Sequence, residues 1–129
     1  MSKLEDFLGL DDVADIRQTV KVAIGGKEFD FTIRPITESE RSECRKQSYV
    51  GSGNERVFDA GKFQSRVLDK CIVEPNFKSA EFLEKAKCQT AEEFRNRKLP
   101  TGILDDLYNR ITDLSGFGAT REKVEEAKN

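Results

Sequence analysis

The chain has 129 residues, 36% hydrophobic and 36% charged, against an ordinary charged share of ~25%. This predicts one domain, residues 1–129, with a modest core and a heavily solvated, helix-rich surface. A net charge of −2 with both signs interspersed argues against a nucleic-acid binder and gives no attraction to an anionic membrane. There is no histidine, and the three cysteines (Cys44, Cys71 and Cys88) are too widely spaced for a zinc site, so we expect three reduced thiols and no metal or other cofactor.

Residues 1–17 are acidic with scattered apolar teeth. Leu4, Phe7 and Leu8 follow i, i+3, i+4 spacing, which predicts a short amphipathic helix ended by Gly9. The segment lacks the basic and apolar regions of a signal peptide. No apolar run in the chain approaches the ~18 residues of a membrane span. Residues 18–34 change period: Val20, Val22 and Ile24, then Phe29, Phe31 and Ile33, alternate with other side chains on either side of Gly25-Gly26. That is a β-hairpin with one apolar face, because glycine accepts the positive φ that tight hairpin turns need. A lone hairpin is marginal in water, so this face must pack on helices or on another chain.

Pro35 closes the second strand, and Thr37 with Glu40 makes a capping box for a mostly polar helix over 38–49. Residues 51–56 read as a flexible loop. A better helix is predicted over 59–73, with Phe63, Val67, Leu68, Cys71 and Ile72 on one stripe and Pro75 as its stop. Ser79 caps a short helix bearing Phe82 and Leu83, and Thr90 with Glu93 makes a second capping box before Phe94. After Leu99-Pro100, Ile103, Leu104, Leu107, Tyr108, Ile111 and Leu114 form the strongest stripe in the chain, with Gly116 as its C′ residue. Residues 37–117 are thus read as helical, and 118–129 as a polar tail in which Thr120 caps a last segment. The predicted architecture is α+β, an N-terminal β-hairpin packed against a cluster of short helices.

No catalytic constellation accompanies these elements. The commonest general base is missing, and no nucleophile elbow or phosphate-binding glycine loop occurs. Cys71 falls on an apolar stripe and reads as a buried structural thiol. The basic run Arg95-Asn96-Arg97-Lys98, and Arg41, Arg45 and Lys46, read as solvated helix faces, since no aromatic platform interleaves with them. Phe77, Phe82, Phe94 and Phe117 serve either as corners of the core or as a groove for a partner.

The wording of the chain resembles one family. The resemblance opens at Met1-Ser2-Lys3-Leu4-Glu5-Asp6-Phe7-Leu8 and resumes at Ile33-Arg34-Pro35-Ile36-Thr37. It is densest from Cys71 on, through C-I-V-E-P-N-F-K-S-A-E-F-L-E-K-A, C-Q-T-A-E-E-F, L-P-T-G-I-L-D-D-L and I-T-D-L-S-G-F. These stretches are similar to XkdN-like phage tail assembly chaperones, a phage and prophage family. The resemblance implies a non-enzymatic protein of the bacterial host cytoplasm that keeps the tape measure protein soluble during tail tube assembly and is absent from the mature virion. It also implies a frameshift-extended longer form that recruits the tail tube protein. Ala127-Lys128-Asn129 can be encoded by a slippery adenine run. A structural tail component, at the tube end and retained in the particle, is the alternative reading. On the chaperone reading, Phe82, Phe94, Leu114 and Phe117 contact the client, and Leu4, Phe7 and Leu8 serve client docking or self-association in a homo-oligomer.

Overall fold

Gly25 and Gly26 take φ values of 60° and 82° in the computed structural model, which describes residues 3–117. The two-residue turn they form joins β1 (Gln18–Ile24) to β2 (Lys27–Ile33) as the expected antiparallel hairpin, with Val20 opposite Phe31 and Val22 opposite Phe29. Val20, Val22, Phe31 and Ile33 of the predicted apolar face are buried. Ile24 and Phe29, nearer the turn, are half-buried and exposed. Ahead of the hairpin lie a six-residue helix, α1 (Lys3–Leu8), and a 3-10 turn over Val13–Asp15.

The reading of 37–117 as helices joined by loops and turns needs correction in three places. α2 (Glu38–Lys46) begins at the predicted capping box, where Thr37 accepts from the Glu40 backbone N and Glu40 accepts from the Thr37 backbone N. It ends three residues before the predicted boundary. The buried Ser48 hydroxyl donates to the Cys44 carbonyl (2.6 Å), and the Ser48 carbonyl accepts from the Asp59 N (2.7 Å). The chain then forms a second, two-by-two hairpin of β3 (Tyr49–Val50) and β4 (Val57–Phe58) on either side of the expected loop, residues 51–56. Gly51 permits this turn: its φ is 96°, and a β-carbon there would sit 2.7 Å from the Glu55 carbonyl oxygen. The third correction is β5 (Ile72–Glu74), which leaves α3 (Ala60–Cys71) directly and pairs antiparallel with β2, making the sheet order β1-β2-β5. Ile72 continues the helical stripe of the sequence, but β-branched Ile72-Val73 fits the otherwise open edge of β2.

α3 lies at the centre of the helical layer, touching α2, β5, α5 (Ala91–Lys98) and α6 (Thr101–Leu114). Its Val67, Leu68 and Cys71 join Leu107 and Ile111 of α6, Cys44 of α2 and the sheet face in one core. α4 (Ala80–Ala86) is capped by Ser79, as expected. Thr90 caps α5, but the carboxylate of Glu93 accepts from Gln89 N instead of Thr90 N, so the second capping box is not reciprocal. Gly116 ends α6 with φ 101°. Ser115 then ties that end to the opposite part of the chain: its hydroxyl accepts from Ile36 N (3.0 Å) and donates to the Ile111 carbonyl (2.7 Å). The Thr120 cap and the tail 118–129 lie outside the described residues.

Two of the ion pairs between elements have side chains largely out of solvent. Arg34, at the end of β2, donates to both carboxylate oxygens of Glu40 on α2 (2.9 and 2.7 Å). That bidentate contact, reinforced by Thr37, holds the Glu40 carboxyl down at about 2. A carboxyl lowered on folding contributes stability above its unfolded pKa and loses it as pH falls toward the folded value. The stability advantage over Glu40→Gln is therefore expected to be full above about pH 5 and to shrink by roughly 1–2 kcal/mol as pH falls toward 2, after solvent screening is allowed for. Urea melts of both proteins across that range measure it, and a pH-independent difference would contradict the assignment. In the second pair the basic run departs from expectation: Arg95 is buried, not solvated, and its guanidinium reaches Asp69 on α3 at 2.6 Å.

Candidate functional site

Two apolar hollows open on the described surface. The first arises from three local sequence decisions. Alternation along the hairpin brings Ile24, Phe29 and Phe31 to the sheet's inner face near its turn. The Ser79 cap starts α4 so that Phe82 points to this face, and the Thr90 cap does the same for Phe94 on α5. Between them, Phe77 follows Pro75 in a tight turn closed by Phe77 N donating to the Pro75 carbonyl (3.1 Å). The rings then pack as a cluster, with centroids 4.7 Å apart for Phe82–Phe94, 5.0 Å for Phe77–Phe94 and 5.6 Å for Phe77–Phe82. Beside them is a hollow of about 330 Å³ with Leu99 and Lys98 at its edge. Phe29 at its mouth is 43% exposed.

The second hollow, also about 330 Å³, is a groove involving α2, α3, α6 and the small hairpin. Ile36, Phe58, Phe63, Tyr108 and Phe117 line it, and the two cations Arg41 and Arg45 come from α2. Edge-on rings, Tyr49–Phe58 and Phe58–Phe63, brace the hairpin side. Arg41 stacks its guanidinium over Phe117, 5.1 Å from the ring centroid, which holds the residue after Gly116 at the groove instead of in the core.

The residues singled out from sequence therefore separate. Phe82 and Phe94 meet in the first hollow, and Phe117 lies in the second. Leu114 is half-buried against the core. Leu4, Phe7 and Leu8 are exposed on α1 and line neither hollow. Phe29, Phe58 and Tyr108 were not singled out as contacts. Phe29 had a signal, since its alternation put it on the apolar face beyond the last buried pair; Phe58 sits in a strand too short to show a period.

The chemistry around both hollows is that of packing. Burial pushes the Cys71 thiol up to about 12, and burial also raises Cys44, so both remain protonated at neutral pH. Among the described residues no group of three or more cysteines and carboxylates could hold a metal ion. No described helix is long and apolar enough to cross a membrane. Hollows of this size and lining suit apolar side chains of another polypeptide.

Residues 4–128 match the phage XkdN-like tail assembly chaperone family, and the chain belongs to that family. Over 98 residues it is 29% identical to the uncharacterized protein YqbN of Bacillus subtilis strain 168, an alignment covering 75% of this chain and 66% of YqbN. The chain thus spans just under two thirds of the length of that relative. A crystal structure of YqbN shares the fold, with a TM-score of 0.57 over 78% of this chain and 86% of that one at 23% identity.

Proposed function

We propose that this protein binds the tape measure protein during phage tail assembly and keeps it soluble while the tail tube grows around it, without catalysing a reaction. The observation that carries this reading is the aromatic hollow of Phe29, Phe82 and Phe94 on a member of the tail assembly chaperone family. An amphipathic helix of the client docks its apolar face there. Burial supplies roughly 25 cal/mol per Å², offset in part by ordering costs, so binding is moderate and the growing tube can displace the chaperone. A frameshift-extended form would bring in the tail tube protein. The protein acts in the host cytoplasm and leaves before the virion is complete.

Phe29→Ser tests the contact with little risk to the fold, since the side chain is already exposed and such substitutions usually change stability by within about 0.5 kcal/mol. It is expected to weaken binding of a purified tape measure fragment at least tenfold, roughly 1.4 kcal/mol, in a calorimetric titration. Undiminished binding would remove the hollow from the account. Mass spectrometry of purified tails separates the chaperone from a structural component: the protein is expected to be absent, and stoichiometric presence would make it part of the particle.

A further inference from the structure

We propose that the groove beside Phe117 receives α1 of a second copy of this chain, so that two copies exchange their N-terminal helices. Leu4, Phe7 and Leu8 are 79%, 67% and 85% exposed, and no residue of α1 is buried. Their spacing puts them on one face. A six-residue helix is far below the ~12–15 residues at which isolated helices become even marginal, so this one needs a surface to lie on.

The groove offers that surface with matching charge. Its walls are aromatic and aliphatic, and the two charged residues among its described lining, Arg41 and Arg45, are both cationic. Arg41 is engaged with Phe117 and Glu38, whereas Arg45 has no ion-pair partner among the described residues. The exposed apolar face of α1 is set among acids, with Asp6 beside Phe7 and Asp11-Asp12 following Leu10. The exposed Val57, by contrast, follows Arg56 and would bring another cation to the groove.

The tether allows the exchange. Residues 9–17 separate α1 from β1, and β1 begins opposite Ile33, close in sequence to groove residue Ile36. Within one copy α1 does not line the groove, and among the described residues no other segment lies across it. Two exchanged helices would bury on the order of 1,200 Å² in total, the lower edge of stable interfaces, which implies a reversible dimer.

Sedimentation equilibrium of the full chain from about 1 to 200 μM tests this. The wild type is expected to dimerise. Phe7→Glu and Arg45→Glu, both at exposed positions, are each expected to raise the dimer dissociation constant at least tenfold with near-ultraviolet circular dichroism unchanged. Raising the salt should weaken the wild-type dimer. A wild type that stays monomeric would overturn the proposal, as would a dimer indifferent to both substitutions. None of these outcomes depends on the tape measure protein, so the chaperone reading stands or falls separately.

Discussion

Arg95→Ala is expected to destabilise the protein by about 3–5 kcal/mol, among the largest effects of any single substitution. Arg95 is 2% exposed, and one guanidinium nitrogen donates to Asp69 at 2.6 Å. Another donates to the Ser65 carbonyl (3.1 Å) and hydroxyl (3.0 Å), and that hydroxyl donates in turn to Glu92. The side chain thus joins α5 to two successive turns of α3. Truncation takes the paired cation from the three-quarters-buried Asp69 carboxylate and a donor from the Ser65 carbonyl, and leaves a void where the guanidinium was. The midpoint of thermal unfolding should fall by on the order of 10–20 °C. The double variant Arg95→Met with Asp69→Leu should recover much of the loss, because it removes both charges instead of stranding one. A loss below about 1 kcal/mol for Arg95→Ala would mean that the pair is effectively solvated.

Phe31→Ala is expected to cost about 3–5 kcal/mol by a different route. Phe31 is 2% exposed on the middle strand, packs edge-on to Phe77 with centroids 6.1 Å apart, and forms part of the wall of the aromatic hollow. Its removal loses the transfer energy of the ring and leaves a cavity that the surrounding sheet and helices cannot fill. Guanidinium melts should show a lower midpoint with an unchanged slope. Phe29→Ser, two residues away on the same face, should leave that midpoint nearly unchanged. Equal effects of the two substitutions would contradict the division between core and hollow.

The sequence made the hairpin legible because two period-two runs flank a Gly-Gly pair, α2, α4 and α5 because each begins at a Ser or Thr cap, and α3 and α6 because each carries an apolar stripe. It concealed β3, β4 and β5 because strands of two or three residues show no period. Ile72 even obeys the helical spacing of the stripe before it. Arg95 was misread because its basic neighbours suggest a solvated face, and only tertiary packing brings Asp69 to it. A clue existed in α3, where Ser65 and Asp69 lie four apart and so share a face. For the candidate site, Phe82 and Phe94 could be named from their capped helices. Their meeting with Phe29 required the sheet to lie across them, and the hold of Arg41 on Phe117 joins two distant parts of the chain that no local pattern links.

The central claim is tested most directly by co-expressing this protein with the tape measure protein of the same phage element and measuring how much of the client remains in the soluble fraction. The account predicts that the client accumulates as a soluble complex with this chain and aggregates without it. A client equally insoluble in its presence and absence would contradict the account.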